Sequence, residues 1–197
     1  CEIIRQWSSF HPEFAYLPRK FKIAVCGTKI DQAATQVHDI GVYLVKGSNE
    51  EIGFRILAGG GLGRTPVIGK VIFEYIEKKH LLTALEAILR VYNQLGRRDN
   101  KYKARIKILI KETGLEKFKT LVEEKWLKLK DGTLTLTDKE IKRCASYFVD
   151  PPYLIKNDNP KKLTQPLEQN LLFNSWYNQN VTTHKKTGYS IVTIALK

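Results

Sequence analysis

Two β-branched segments joined by a short connection constrain the fold of this chain more than any other feature. The first segment is QVHDIGVYLVKG and the second is EIGFRILAGGG, and the turn-forming pair Ser48-Asn49 lies between them. Both segments are rich in Val and Ile and alternate imperfectly between apolar and polar residues, as strands do. Because the connection is so short, we predict that the two strands are antiparallel.

The residues before this pair predict a further strand. The segment FKIAVCG, at 21–27, is short, apolar and β-branched and stops at a glycine. Residues 2–18 mix aromatic side chains with two prolines, which favours a short helix followed by an irregular connection. We therefore expect a sheet of at least three strands that begins near residue 21.

Helical patterns follow the glycine-rich stretch at 59–63. A Thr-Pro pair predicts the start of a helix over 65–76. Apolar residues at three- and four-residue steps predict longer helices over 80–95 and 115–129, and a Thr-Asp pair predicts a short helix over 137–148. Together these elements predict an α/β (α+β) fold in which an antiparallel or mixed sheet has flanking helices.

The domain organisation follows from a change in composition at residue 149. Residues 149–166 concentrate Pro, Asn and Asp, which is typical of a linker. We predict one α/β unit over 1–148 and the beginning of a second unit over 167–197, which ends in a strand-like stretch, GYSIVTIALK. Because the chain starts at Cys1 and contains no methionine, we expect it to be part of a longer polypeptide.

Composition limits the class of partner. Lys and Arg number 33 against 20 Asp and Glu, so the formal net charge is +13 and the partner or ligand is expected to be anionic. The 43% content of hydrophobic residues supports a packed core and excludes global disorder. No apolar run approaches the roughly 18 residues of a membrane span, and no charged-then-apolar leader opens the chain, so we expect neither a membrane partner nor secretion.

The cysteines do not have the spacing of a metal or redox site. Cys1, Cys26 and Cys144 are separated by 25 and 118 residues, unlike a zinc site, a redox dithiol or a cluster-binding motif. We therefore expect inert thiols in a reducing compartment and no metal ligand in this chain. The pair His38-Asp39 could suggest a metal site, but the other histidines have no matching spacing, and a structural role is favoured.

The densest cationic segment is GRRDNKYKARIK, at 96–107. Its last cations alternate with Ala104 and Ile106, so an extended backbone would place Arg105 and Lys107 on one side and the apolar residues on the other. In a continuous helix, residues two apart diverge. A shared anion pocket therefore requires an extended piece or a turn that enters a helix. A solvated basic face and a nucleic-acid surface remain alternatives.

The segment GGGLGRTP, at 59–66, could also contribute to an anion site. Glycines allow the backbone to approach a flat or phosphate-bearing ligand, and Arg64 adds a charge. The spacing matches neither the Walker A loop nor the dinucleotide fingerprint. An ordinary glycine turn explains the segment equally well.

Several ordered motifs resemble the siroheme-dependent nitrite and sulfite reductases. The motifs are LPRKFKIAV, VHDIG, GGGLGRTP and LEAILRVYNQLGRRDNKYKARIKILI, and the similarity covers residues 2–126. The tail FNSWYNQNVTTHKKTGYSIVTIALK resembles the opening of the family's second ferredoxin-like half-domain. The resemblance implies a siroheme-binding α/β half-domain followed by an incomplete ferredoxin-like half-domain.

The resemblance also implies the chemistry. Enzymes of this family hold siroheme between two halves, with a [4Fe–4S] cluster that shares a cysteine thiolate with the siroheme iron. They reduce sulfite to sulfide or nitrite to ammonia by six electrons, taken from ferredoxin or an NADPH-linked flavoprotein. By this resemblance we expect a cytoplasmic oxidoreductase that binds sulfite or nitrite.

Site residues are assigned by the same resemblance. A basic pair two positions apart lines the family's anion pocket, and it falls here on Arg105 and Lys107. We predict that Arg105 clamps the oxyanion and that Lys107 donates a proton, since a guanidinium does not release its proton whereas an ammonium does. By the resemblance, Arg98 and Lys101 are predicted to face the siroheme carboxylates. The basic and glycine-rich segments themselves add Lys103, Gly60, Gly61 and Arg64 as predicted cofactor-binding residues.

One departure from the family separates the expected chemistry from this chain. The family binds its cluster through C-x5-C followed by C-x3-C, and neither pattern occurs here. We therefore expect the cluster ligands to lie outside this chain and the chain alone to be inactive. The alternative function is a basic nucleic-acid-binding module. Only Tyr102 interleaves with the basic residues, so base stacking has little support and no nucleic-acid partner is expected.

Overall fold

A computed structural model describes residues 1–154 and 161–196. The chain divides into two compact units, Cys1–Val149 and Asp150–Lys197. The elements of the first unit, in chain order, are α1 (Glu2–Ser8), β1 (Ile23–Cys26), β2 (Ile40–Lys46), β3 (Ile52–Ala58), β4 (Lys70–Glu77), α2 (Leu81–Leu95), α3 (Ile106–Thr113), α4 (Leu115–Leu127) and α5 (Asp138–Ala145). Those of the second unit are α6 (Lys161–Gln169), α7 (Leu171–Asn180), β5 (Val181–Thr183) and β6 (Ser190–Val192).

The first unit is built on a four-stranded sheet in the order β1-β2-β3-β4. β2 and β3 are antiparallel, with Ile40 opposite Ala58 and Lys46 opposite Ile52, so the predicted strand pair is confirmed. β4 continues the antiparallel order, whereas β1 pairs with β2 in parallel. The sheet is therefore mixed and carries flanking helices, as the sequence predicts.

Helix α2 is the centre of the core. Eleven of its 15 residues are buried, including Leu85, Ile88 and Tyr92. α4 packs beside it and contributes Phe118 and Val122 to the same core. The apolar periodicity that predicted both helices therefore reflects burial against the sheet and against each other. Among residues 1–154 and 161–196, no helix has the length and hydrophobicity that crossing a lipid bilayer requires.

The helix predicted over 65–76 is wrong, because this segment forms strand β4. Val71, Ile72 and Phe73 suit a pleated, half-buried surface, and the edge of β3 supplies the backbone partners. The ring of Tyr75 packs over Gly53, where a β-carbon would lie 2.4 Å from the ring. The Thr-Pro pair belongs to the hairpin before the strand, so a local capping signal was outweighed by pairing within the sheet.

The second unit is small and mostly exposed. α7 has no buried residue, and β5 and β6 form a two-stranded antiparallel hairpin. α6 begins at Lys161, within the predicted linker, and Leu163 and Leu167, four residues apart, share one side of this helix. Residues 155–160 of the predicted linker lie outside the described residues. The division of the chain into functional domains stays a prediction.

Candidate anion-binding site

The backbone turns into a helix between the two residues predicted to line the anion pocket. Arg105 is extended, with φ −76° and ψ 149°, and α3 begins at the next residue. Ala104 and Ile106 are buried on the core side. The segment therefore has the geometry that the sequence requires for a shared pocket, a turn that enters a helix.

Arg105 is bound to a buried carboxylate. Its Nε and Nη2 donate to Oδ1 of Asp39 at 2.9 and 2.6 Å, and the other carboxylate oxygen accepts the backbone N–H of Lys22 at 3.1 Å. Asp39 is 2% exposed, whereas the Arg105 side chain is 24% exposed. Asp39 thus joins the segment before β1 to the start of α3. We call Asp39, Arg105, Lys107, Gly61 and the backbone N–H of Lys22 the Asp39 junction.

Lys107 reaches into a small hairpin. Backbone hydrogen bonds of 2.9 Å in both directions join Gly61 and Val67 and close this hairpin. The Lys107 ammonium donates to the carbonyl oxygens of Thr65, at 2.6 Å, and Leu62, at 3.5 Å. Burial lowers the pKa of Lys107, and the charge of Arg105 lowers it further, while Asp39 partly opposes this. The ammonium is therefore a better proton donor than a solvated lysine.

Two of the predicted cofactor-binding glycines lie within the fold rather than on an open surface. A β-carbon on Gly61 would lie 3.1 Å from Nη2 of Arg105 and 3.2 Å from Cδ of Lys107, so both side chains converge on this glycine. A β-carbon on Gly60 would lie 2.4 Å from the carbonyl oxygen of Gln36. Close packing therefore explains why these positions need glycine, and their role toward a cofactor stays a prediction.

The other predicted cations have different environments. Arg98 donates to Asn93 Oδ1 at 2.7 Å and to the Tyr16 carbonyl at 3.0 Å, so it ties the loop after α2 to the connection before β1. The exposed cations with no acidic partner among residues 1–154 and 161–196 include Lys101, Lys103 and Arg64. The first two precede α3 in the same loop as Arg98, and Arg64 lies in the hairpin that Lys107 enters.

His38 and Asp39 do not act together. His38 Nδ1 lies 2.9 Å from the carbonyl oxygen of Ala34, while the Asp39 carboxylate binds Arg105. In the described part of the chain, no three side chains of His, Cys, Asp or Glu are grouped as metal ligands. The two adjacent side chains therefore have different partners, a nearby backbone carbonyl for His38 and the distant Arg105 for Asp39.

The structure adds cations that sequence reasoning did not assign to the site. The Arg19 guanidinium donates to the carbonyl oxygen of Lys101, so residues 19–22 lie beside the loop that precedes α3. Lys20 and Lys22 are exposed. A cavity of about 620 Å³ lies next to them, with Arg5, Arg19 and Lys20 among its cations and Phe21, Ile23 and Leu89 in its apolar walls. The signal was present as the motif PRKFK, where lysines flank an aromatic residue directly before a strand.

These side chains fit a polycarboxylate but not an iron–sulfur cluster. Lys20, Lys22, Lys101 and Lys103 are exposed and have no carboxylate partner among the described residues, so they are available to a ligand that carries several negative charges. In contrast, Cys26 is buried against Thr28, with Sγ 3.4 Å from Oγ1, and Cys144 is buried in α5. The three thiols do not converge, so the described residues do not form a cluster site.

The comparisons with known proteins decide the family. Residues 1–130 match the family described as the nitrite and sulphite reductase 4Fe-4S domain. The chain belongs to this family. The match covers the mixed sheet, the Asp39 junction and helices α1 to α4.

Relatives and a solved structure agree with this membership. The chain is 32% identical over 133 residues to sulfite reductase (ferredoxin) 1 of Mycolicibacterium paratuberculosis, an alignment that covers 66% of this chain and 23% of the relative. It is 35% identical over 116 residues to the sulfite reductase (NADPH) hemoprotein beta-component of Shewanella sp. (strain W3-18-1), which covers 55% and 20%. The structure of Mycobacterium tuberculosis NirA protein matches with a TM-score of 0.58 and 30% identity over 64% of this chain and 23% of that one. This chain therefore aligns with only about a quarter or less of each relative's length.

Proposed function

We propose that this chain is part of a cytoplasmic siroheme-dependent reductase that converts sulfite to sulfide or nitrite to ammonia by six electrons. Family membership and the names of the sulfite reductase relatives support the reaction class. Those names also support ferredoxin or NADPH as the source of electrons, and an NADPH-linked flavoprotein partner is part of the proposal. For the site, the proposal depends on one observation: Asp39 binds both the Lys22 backbone and Arg105 and so joins two cationic segments.

We propose that the exposed cations beside the Asp39 junction hold the siroheme carboxylates. They are Lys20, Lys22, Arg64, Lys101 and Lys103, with Arg98 fixing the loop that carries the last two. When bound, siroheme would supply the redox-active iron centre for the reduction of the anion. The [4Fe–4S] cluster is assigned to ligands outside this chain.

Arg105 and Lys107 receive different roles in the proposed anion pocket. The Asp39 carboxylate fixes the Arg105 guanidinium through Nε and Nη2, which leaves Nη1 to bind an oxyanion without loss of a proton. Reduction of an oxyanion consumes protons as each bond to oxygen breaks. Lys107, whose pKa is lowered by burial, supplies a proton and is reprotonated from solvent.

Siroheme retention tests the proposed cofactor surface. The intact reductase that contains this chain, prepared without cofactor, is mixed with siroheme, passed through a gel-filtration column and examined by absorbance. We expect retained siroheme for the unmodified reductase and strongly reduced retention when it carries Lys20→Gln/Lys22→Gln. The variant Lys139→Gln/Lys142→Gln is a matched control, since it removes the same charge from exposed positions of α5. No retention by the unmodified reductase, or equal retention by both double variants, contradicts the proposal.

The proton-donor role needs turnover by the intact reductase. We expect Lys107→Gln to lower the rate of sulfite or nitrite consumption with a reduced dye as electron source, while Lys107→Arg restores charge but not proton donation. Turnover of Lys107→Gln near that of the unmodified enzyme would show that Lys107 is not the donor. The cofactor proposal would still stand, because siroheme retention is measured separately.

A further inference from the structure

A second cavity, of about 410 Å³, lies where α3 meets α4. Its walls come from the end of β3, the hairpin that follows, the start of β4, helix α3 and the first residue of α4. Most of the wall is apolar and is formed by Ala58, Val67, Ile108, Ile110 and Leu115. Lys107 of the Asp39 junction lines the cavity, whereas Asp39, Arg105 and Gly61 do not. The cavity therefore adjoins the junction but does not contain its buried ion pair.

Two glycines in left-handed conformations shape the cavity. Gly59 has φ +82°, and a β-carbon there would lie 2.7 Å from Cδ1 of Ile110, so the end of β3 approaches α3 directly. Gly114 has φ +86° and joins α3 to α4, and a β-carbon there would have no atom within 4 Å. The corner between the two helices is therefore open above the apolar wall.

The polar part of the lining is cationic. Lys70, Lys107 and Lys111 line the cavity together with Thr65, and the lining contains no carboxylate. Lys107 donates to the Thr65 carbonyl. Lys70 and Lys111 are exposed, and neither has an acidic partner among residues 1–154 and 161–196. Two ammonium groups are therefore free to bind a charge brought by a ligand.

We propose that this cavity binds a small organic anion with an apolar body, such as an aromatic carboxylate or sulfonate. An inorganic anion would leave the apolar wall exposed to water, and a neutral hydrocarbon would leave the two lysine ammonium groups without a counter-charge. The volume is in the range of small-molecule sites, about 300–1,000 Å³. None of the cations proposed to hold siroheme lines this cavity, so its free cations differ from those of the proposed siroheme surface.

Naphthoate is a suitable probe, because it combines a flat apolar body with one carboxylate. Binding is followed by titration of the full chain, with amide chemical shifts of Gly59 and Gly114 reporting the location. We expect these amides to shift, and we expect naphthalene methanol, the neutral analogue, to bind about tenfold more weakly because the ion pairs are lost. Equal binding of the neutral analogue, or shifts confined to other residues, would overturn the proposal.

A pair of matched double variants distinguishes a loss of binding charge from a loss of folded structure. We expect Lys70→Gln/Lys111→Gln to weaken naphthoate binding about tenfold and Lys139→Gln/Lys142→Gln to leave it unchanged, with equal thermal unfolding temperatures for both. Unchanged affinity in the first variant, or an equal loss in the control, contradicts the site. Siroheme retention is expected to be unaffected by Lys70→Gln/Lys111→Gln, and naphthoate binding by Lys20→Gln/Lys22→Gln, so this proposal and the proposed function fail independently.

Gel filtration distinguishes a small anion from a second copy of this chain as the occupant of the cavity. If gel filtration showed a dimer that Lys70→Gln/Lys111→Gln dissociates, the occupant of the cavity would be a second copy of the chain. That result would overturn the small-anion proposal. A monomer whose amides at Gly59 and Gly114 move on addition of naphthoate supports it.

Discussion

Two groups of cations beside the N-terminal sheet have opposite environments. At the Asp39 junction, Arg105 binds a buried carboxylate and Lys107 binds hairpin carbonyls, so the fold itself supplies their acceptors. The second group, Lys20, Lys22, Lys101, Lys103 and Arg64, is exposed and has no acidic partner among the described residues. The difference shows that a dense basic sequence divides into charges that stabilise the fold and charges that remain available to a ligand.

Burial of the acid explains the division. A carboxylate that is 2% exposed is strongly destabilising without a partner, and Asp39 obtains one in Arg105 and a further donor in the Lys22 N–H. The same contact holds the guanidinium in one orientation. Arg105 is therefore a structural residue first, and any anion it clamps benefits from that fixed geometry.

Among the substitutions that test this division, removal of the Asp39 carboxylate is expected to lower stability most. Asp39→Ala leaves Arg105 and the Lys22 N–H without their acceptor, and we expect the free energy of unfolding to fall by about 3 kcal/mol. Urea unfolding followed by circular dichroism measures the change. The control is Asp131→Ala, at an exposed acid, which is expected to change stability by less than about 0.5 kcal/mol. Equal effects of the two variants would mean that the junction contributes no more than a surface charge.

The second-largest loss of stability is expected from substitution of Gly60, the residue before Gly61 of the Asp39 junction. Gly60→Ala forces a β-carbon against the Gln36 and His38 carbonyl oxygens, at 2.4 and 2.5 Å, and is expected to cost about 2 kcal/mol. Gly27→Ala is the control, because a β-carbon there meets only Leu44 at 3.8 Å. Thermal unfolding compares the two. If Gly60→Ala were as stable as the unmodified chain, packing would not explain this glycine, and its predicted cofactor role would gain support.

The buried residue Tyr92 is expected to make the stability of the chain depend on pH. Its hydroxyl donates to the carbonyl of Ala104 at 2.8 Å, and burial, followed by the charge of Asp39, raises the pKa of Tyr92 to about 12. Between pH 10 and 12 the folded chain thus retains a proton that the unfolded chain has lost. Stability is therefore expected to fall with rising pH over this range by about 1 kcal/mol per unit. We expect Tyr92→Phe to lack this slope when urea unfolding is repeated across the range, whereas a slope that persists in the variant would assign it to another group.

The smallest effect on stability is expected at the exposed cations. Lys20→Gln/Lys22→Gln removes two exposed charges with no acidic partner among the described residues, so unfolding free energy should change by less than about 0.5 kcal/mol. The same variant is the one expected to lose siroheme retention. A stability loss as large as that of Asp39→Ala would place these lysines in the structural group and remove the distinction.

Much of the fold could be predicted because its signals are local. The β2–β3 pair follows from β-branched residues around a short turn, and α2 and α4 follow from apolar steps of three and four residues. The segment of β4 instead predicts a helix, because a Thr-Pro pair is also a local signal. Its residues pair with β3, and that partner is not visible in a short window of sequence.

The candidate site could be predicted only in part, for a similar reason. The sequence identifies the basic pair at 105 and 107 and the glycine segment at 59–66, and the structure brings them together at Gly61. The motif LPRKFKIAV contains Lys20 and Lys22, but it does not reveal that they lie near the loop before α3. That proximity depends on a contact between Arg19 and Lys101. Asp39 stands beside His38 in the sequence, but its partner in the structure is Arg105, 66 residues away.

The amino-acid sequence by itself determined the family, the excess of positive charge and most of the helices and strands, since periodicity and motifs are read along the chain. Only the tertiary structure decided which cations have a partner. An ion pair depends on burial and on a few ångströms of distance, and folding brings Asp39, Lys22 and Arg105 within that distance from three separate segments.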